Sequence, residues 1–264
     1  MDKYSVLVAV GGDGTYHEVV NGMLHRSDKR RMPVAFIPNG SGNDTLRSFG
    51  VTDIVKAMDY IVKGDIIKVD LTKMLMDYEK EEDIADEKER VSNIRYQLIN
   101  SSFGVPAKIN FRASSWKWCC CCNPYQIAAV IEFLSIKYEM VDIIMDGVKI
   151  AENIETPFLM CFNGKHGGNG VLLNPLGIIN DGLMELFIVN AKLGAKRMLA
   201  FMDQAIKEGG VHGYDPNVTI YRGKEFTFVN KKPKTGVAVK DRQVFAIDGE
   251  VLYFNDFVKY EVEY

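Results

Sequence analysis

Ser5 to Val10 form an apolar run that passes through Gly11-Gly12-Asp13-Gly14 into a stretch where Val19, Val20, Met23 and Leu24 fall at helical spacing. A continuous apolar run of strand length fits a parallel strand buried on both faces, and the change of period marks a strand-to-helix turn. The pattern then repeats. Pro33 to Ile37 is a second short apolar run ending in a glycine-containing loop. Helical spacing returns with Ile54, Val55, Met58, Ile61 and Val62 on one stripe, between Thr52 as N-cap and Gly64 as stop. Strand, loop and helix, twice over, predict an α/β nucleotide-fold half.

From Ile66 onward the pattern becomes short β-rich runs separated by turn residues: IIKVDLTKMLM, RYQLINSSFG, YEMVDIIMDGVKI, PFLMCFNG, LMELFIVN, NVTIYRGKEFTFV and QVFAIDGEVLYF. This predicts an antiparallel β-sandwich. Two helices interrupt it, one starting near Asn123-Pro124 with Ile127, Ile131 and Leu134, the other carrying Met198, Leu199, Met202 and Ile206 before Gly209-Gly210. The boundary is placed near residue 65, giving an α/β domain over 1–65 and a β-rich domain over 66–264. The charge run from Asp77 to Ser92 reads as a solvated, mobile loop between two strands.

Composition narrows the classes. With 47% apolar residues, 25% charged residues and a net charge of -3, the chain is an ordinary globular protein without a global pull toward nucleic acid. Four of the five cysteines are contiguous, Cys119 to Cys122, and the fifth is Cys161, a poor layout for structural disulfides. A reducing compartment follows. No run of about 18 apolar residues could span a bilayer, and the N-terminal run is too short for a signal peptide. The expected location is therefore cytoplasmic, with membrane contact only peripheral. Homo-oligomerisation stays open.

The glycine loops carry the chemistry. A strand that ends in glycines at a helix N-terminus bares backbone N–H groups and adds the positive end of the helix dipole, which suits a phosphate. Gly11, Gly12 and Gly14 let the phosphate approach the backbone and Thr15 adds a hydroxyl. Asp13 would repel a phosphate unless a cation lies between them, and so points to Mg²⁺. In PNGSGND, Gly40 and Gly42 flank Ser41, and Asn43-Asp44 lead into helical sequence. Two adjacent strand ends would face one crevice at the carboxyl edge of the sheet.

The pair GGDGTYHEVVNG and IPNGSGND resembles the lipid kinase catalytic domain shared by diacylglycerol kinases, sphingosine kinases, ceramide kinases and the bacterial YegS-like lipid kinases. The likeness spans nearly the whole chain, through KVDLTKM, FNGKHGGNGVLLNP, DGLMELFIV and the late IDGE. It implies a phosphofructokinase/NAD kinase-like α/β domain followed by an antiparallel β-sandwich. It also implies an ATP- and Mg²⁺-dependent transfer of the γ-phosphate to a primary hydroxyl of a diacylglycerol- or sphingolipid-type membrane lipid.

By this resemblance Gly11, Gly12, Asp13, Gly14, Thr15, Tyr16, His17, Gly40, Ser41, Gly42 and Asn43 contact ATP, and Asp13, Asp44 and Asp70 form a water-bridged Mg²⁺ network. Asp248 and Glu250 match the late acidic pair, one of which takes the proton from the lipid hydroxyl in bacterial members; in sphingosine kinases the base matches Asp13. Glu250 is preferred as base. The other reading of Asp248-Gly249 is a hairpin turn. Asp181 matches an aspartate that binds a structural Mg²⁺ with main-chain carbonyls, here those of Met184 and Leu186. Lys165 and His166 lie in a glycine-rich turn that the family brings near its substrate; a plain loop is the alternative.

Within the family, HEVVNGM and GGVHGYDPNV look like the sphingosine and ceramide kinase branch. Lys108 and Asn110, however, stand where sphingosine kinases carry aspartates for the substrate amine, which weakens a free long-chain base and leaves diacylglycerol or a ceramide-like lipid. SSWKWCCCC sets Trp116 and Trp118 beside four thiols, a candidate acylated membrane contact. The resemblance also implies a strand and an Asn-Pro turn ahead of the first glycine loop, which this sequence does not contain. Two alternatives to the active lipid kinase therefore stay open: a catalytically silent lipid-binding module of the same fold and an NAD kinase-like soluble-metabolite kinase.

Overall fold

In the computed structural model, which describes residues 3–116, 124–189, 193–207, 209–231 and 243–263, the two glycine loops leave neighbouring parallel strands. β1 (Leu7–Gly11) runs into α1 (Asp13–Leu24), and β2 (Val34–Pro38) into the short α2 (Asp44–Ser48) and then α3 (Ile54–Lys63). Gly11 is in register with Pro38, so both loops emerge at the same end of the sheet. The expected burial of β1 on both faces is not observed. Ala9 is buried with Tyr16, Val20 and Leu46, whereas Val8 and Val10, on the opposite face, are 42% and 57% exposed. A two-stranded sheet has one face covered by this cluster, and among the described residues the other is left open.

The stripe on α3 behaves in the same way: Ile54, Val55, Met58 and Val62 are exposed and only Ala57 is buried. Its N-cap is Asp53, whose carboxylate accepts from the Lys56 amide at 2.8 Å, rather than Thr52. Gly64, at φ 71°, ends the helix as expected.

The β-rich part begins at β3 (Leu71–Met76), later than the apolar letters imply, because Asp70 gives its amide to Ile179 O outside the ladder and Ile66 and Ile67 stay exposed. It continues through α4 (Glu87–Asn93), β4 (Ile94–Gln97), β5 (Asn100–Gly104), α5 (Val105–Ser114) and α6 (Pro124–Leu134). Next come β6 (Glu139–Met145), β7 (Val148–Thr156), β8 (Phe158–Phe162), β9 (His166–Gly167), β10 (Val171–Leu172) and β11 (Met184–Val189). The last elements are α7 (Ala195–Lys207), β12 (Val218–Gly223), β13 (Glu225–Asn230), β14 (Gln243–Ile247), β15 (Glu250–Phe254) and β16 (Phe257–Glu263).

Two six-stranded sheets result, in the orders β12-β11-β8-β5-β14-β15 and β4-β3-β16-β13-β6-β7. Alternate side chains decide the layers. Leu159, Cys161, Leu186, Ile188, Phe245 and Phe254 of the first sheet meet Met74, Ile143, Phe226, Phe228 and Tyr260 of the second, forming the sandwich core. Phe158, Met160, Phe162 and Phe187 point the other way, onto Val105, Phe133, Met198 and Phe201 of the helices. That is why FLMCF has no polar position: β8 is covered on both faces.

Three local expectations change. Gly104, at φ 80°, turns the chain out of β5, and with Pro106 in its first turn α5 forms, a helix beyond the two expected. On α6 the buried side is Ala128, Glu132 and Phe133, because Glu132 pairs with Arg112 of α5; Ile127 and Leu134 face outward. The charge run is ordered as a 3-10 turn at Glu81–Asp83 and α4, capped by Asp86 on the Lys88 and Glu89 amides, with Ile84 anchoring it against Leu75, Ile94 and Tyr96.

Candidate active site

The glycine loops touch through bare backbone. A Cβ on Gly40 would lie 2.5 Å from the Gly12 Cα, so no larger residue fits there without moving one loop. Gly12 is the N-cap of α1, with its carbonyl accepting from the Tyr16 amide at 3.1 Å. The amides of Asp13, Gly14 and Thr15 in that first turn have no helical acceptor, as at any α-helix start. Glu250 reaches this turn from the other half of the molecule: a Cβ on Gly14 would lie 2.9 Å from its Oε1.

Tyr16 and His17, expected at the nucleotide, turn inward. Tyr16 is fully buried against Phe36, with its hydroxyl 2.7 Å from Gly11 O and 2.8 Å from Ile37 O, so it fixes the end of β1 against β2. Burial first, and the Asp13 charge second, push its phenol up to about 12. His17 is 1% exposed and its Nδ1 lies 2.9 Å from Asp248 Oδ2. Beside it Asn21 exchanges two hydrogen bonds with the Tyr96 backbone, at 2.8 and 2.9 Å. α1 is thereby fastened to the β-rich part by His17, expected at the nucleotide, and by Asn21, which carries no sequence signal.

Asp13 does not point at open space. Its carboxylate accepts from Asp44 N at 3.1 Å, Thr45 N at 2.9 Å and Thr45 Oγ1 at 2.8 Å, and so occupies the N-terminus of α2. The second loop is consequently no open anion cradle. Asn43, in the left-handed region at φ 53°, spends its side-chain amide on Gly40 N and Gly40 O, while Ser41 is exposed. Asp44 is buried and accepts from Asn169 N at 3.0 Å and Gly170 N at 2.6 Å. Burial raises its pKa, and the nearby Asp13 charge adds to the rise.

Two mutually repelling carboxylates, with a lone-pair position still open on each, fit a hard cation held partly through water. Among the described residues no three acidic, histidine or cysteine side chains cluster tightly enough to ligate a metal directly. Asp70 stands apart from that pair in its bonding: its Oδ2 accepts from Gly182 N at 2.6 Å and its carbonyl accepts from Asn163 Nδ2 at 2.6 Å. Asp181, expected to bind a structural cation, is paired instead with the Arg222 guanidinium and the Leu183 amide. Met184 and Leu186 lie within β11, in register with Gly223 and Tyr221 of β12.

The late acidic pair divides cleanly. Asp248 and Gly249, at φ 46° and 90°, form the two-residue turn of the β14–β15 hairpin, so the turn reading and the acidic motif coincide. The Asp248 carboxylate is buried and accepts from the amides of Leu98, Ile99 and Asn100 at 2.8, 2.9 and 3.1 Å, besides facing His17. Glu250 is half-buried, and its carboxylate makes no hydrogen bond among the described residues. Tyr125, in the first turn of α6, completes this wall: burial raises its pKa first, then the charges of Glu250, Asp13 and Asp44. Nothing in the sequence marks Tyr125, because α6 is brought beside Glu250 and Asp13 by tertiary packing on α5 and α7. Trp118 and Cys119 to Cys122 lie outside the described residues.

Comparison with known proteins agrees with this architecture. Residues 1–74 match the family model of the diacylglycerol kinase catalytic domain, and residues 100–253 that of the YegS C-terminal NAD kinase beta sandwich-like domain. A diacylglycerol kinase of Staphylococcus saprophyticus is 28% identical over 223 residues, 80% of this chain; the match spans 64% of that protein. A diacylglycerol kinase of Staphylococcus carnosus is 43% identical over 74 residues, 28% of this chain and 24% of its own length. In fold, a diacylglycerol kinase of Bacillus anthracis superposes with a TM-score of 0.65 at 20% identity, covering 99% of this chain and 74% of that one. Yeast NADH kinase complexed with NADH gives a TM-score of 0.51 at 12% identity, covering 98% of this chain and 58% of that one.

Proposed function

The chain belongs to the YegS-like diacylglycerol kinase family, and on that premise we propose that it transfers the γ-phosphate of ATP to a primary hydroxyl of a membrane lipid, with Mg²⁺. The observation that carries this reading is that Gly12 and Gly40 meet backbone to backbone while the Glu250 carboxylate, without a hydrogen bond among the described residues, reaches Gly14 in the first turn of α1. Phosphoryl transfer asks the protein chiefly to position two oxygens in line and to neutralise charge. The free amides of the first turn of α1 face the polyphosphate, and Thr15 flanks them. Mg²⁺, when held near Asp13 and Asp44 through water, neutralises the charge that gathers on the phosphoryl oxygens.

Glu250 then acts as general base. The lipid hydroxyl oxygen forms a bond to the γ-phosphorus, the bond from that phosphorus to the ADP oxygen breaks, and the hydroxyl proton passes to a Glu250 carboxylate oxygen. Asp248, with three amides and His17 around its carboxylate, is assigned the positioning of that hairpin rather than the proton transfer. Lys108, which stands where sphingosine kinases carry an aspartate, is paired with Glu139, and Asn110 donates to Pro106 O. Neither is arranged to receive an amine. Diacylglycerol is therefore favoured as acceptor over a free sphingoid base.

The test is incubation of the purified chain with radiolabelled ATP, Mg²⁺ and, separately, diacylglycerol, ceramide, sphingosine and NAD. Label is expected in phosphatidic acid. Glu250→Gln should lower kcat by about 10²- to 10⁴-fold, the usual weight of one general base. Label in none of the four acceptors overturns the kinase reading, and Glu250→Gln with the parent's kcat overturns the base assignment.

A further inference from the structure

α2 grips the turn between β8 and β10 from both of its ends. At its first residue Asp44 accepts from the amides of Asn169 and Gly170; at its last, the Ser48 hydroxyl oxygen accepts from Lys165 N at 3.1 Å and His166 N at 3.2 Å. Four amides of one short turn are thus satisfied by two side chains of a helix only five residues long. The fit is close. A Cβ on Gly164 would lie 2.9 Å from Ser48 Oγ, and one on Gly42 would lie 3.8 Å from the Asn169 Cα. The turn takes this shape through residues suited to it, since Gly168, Asn169 and Gly170 stand at positive φ, at 64°, 73° and 87°.

We infer that Ser48 is a positioning residue of this enzyme: its hydroxyl holds the Lys165–Gly170 turn against the second glycine loop, so that loop and turn form one wall for the acceptor. The nucleotide side does not depend on this bond, because α1 and the first loop are fixed by Tyr16 and by the Asn21 and His17 contacts. The turn belongs to the same half of the molecule as Glu250, and it stands beside the Asp13–Asp44 pair through Gly42. Losing the Ser48 acceptor frees two amides and loosens the turn without unpacking the core. The cost should therefore fall on the acceptor KM. Arg47 sits between the two gripping residues, with its Nε donating to Gly42 O at 3.0 Å and its guanidinium 3.3 Å from where a Gly170 Cβ would be, so the same contact keeps a cation at the rim.

The acceptor arm of this inference rests on the kinase reading, whereas the amide arm does not. Ser48→Ala and Ser48→Thr are compared with the parent by steady-state kinetics in diacylglycerol-containing vesicles and by amide hydrogen exchange. Ser48→Ala should raise the acceptor KM about 3- to 10-fold, the worth of a hydrogen bond or two. The KM for ATP and the melting temperature should stay near the parent's, and the Lys165 and His166 amides should exchange faster. Ser48→Thr, which retains the hydroxyl, should restore the acceptor KM. An unchanged acceptor KM, or an equal rise in both KM values, overturns the positioning role. Unchanged exchange in Ser48→Ala overturns the grip itself, even if no lipid is phosphorylated. Should the parent be active and Ser48→Ala fail to fold, the statement that the hydroxyl acts locally is wrong.

Discussion

β8 and β1 are both five-residue apolar strands, yet all five positions of β8 are buried while β1 buries only Ala9. The difference lies in what surrounds them. β8 sits between β5 and β11 with the sandwich core on one face and α5, α6 and α7 behind the other; among the described residues β1 has one neighbour and one covered face. The glycine loops leave the less covered of the two regions. Their geometry is therefore set less by the sheet than by individual polar contacts: Asp13 on α2, Asn43 on Gly40, Tyr16 across the strand ends, and His17 on Asp248.

The sharpest break of this contrast is in the covered region. Phe187→Ala should cost about 3–5 kcal/mol in urea unfolding, because the ring is packed among Phe158, Phe162 and Phe201 and the cavity cannot close. Asp248→Ala should cost about 3 kcal/mol in the same assay. It strands two buried amides and one part-buried amide, at about 1–3 kcal/mol for each buried one reduced by relaxation, and it should also depress phosphoryl transfer by loosening α1. Tyr16→Phe should cost about 1 kcal/mol through one lost hydroxyl donor, read by thermal unfolding with and without ATP.

A pH measurement sharpens the covered side further. Burial lowers the pKa of His212; its Nε2 lies 2.8 Å from Leu173 O and its Nδ1 has no hydrogen-bond partner among the described residues, so the ring is held neutral. The unfolded chain takes up a proton below its ordinary pKa of about 6.5 that the folded state refuses. This contribution is therefore complete above that pH and is lost as the pH falls below it. His212→Gln should flatten the acid limb of stability by no more than about 1.4 kcal/mol per pH unit. Smallest of all, Val10→Thr on the open face should stay within about 0.5 kcal/mol of the parent by the same urea titration. A loss near that of Phe187→Ala would mean that this face is covered in the working protein.

What could be read from sequence was local. The parallel strand pair, the sandwich strands, the glycine loops and the Asp248-Gly249 turn each follow from residue types within a few positions. What could not be read depends on distant partners. The sequence shows Asp13 as an acid in a glycine loop but not that Thr45, 32 residues on, takes up part of its carboxylate. His17 looks like a nucleotide contact until the 248 turn arrives. Helical spacing on α3 and α6 identifies an apolar stripe but not whether anything lies against it, and on α6 the Arg112–Glu132 pair selects the other side. Ser48 carries no local signal at all, since its partners are the amides of a turn more than a hundred residues later.

The Asp248 contacts bear on how the protein is made. His17 and Asp248 are 231 residues apart, and the amides of Leu98, Ile99 and Asn100 wait for the same carboxylate. On a ribosome that releases the amino-terminal part first, the glycine loops emerge with their local contacts, but the His17 ring waits for the β14–β15 turn. The contact that ties α1 to the β-rich part is therefore made late in synthesis.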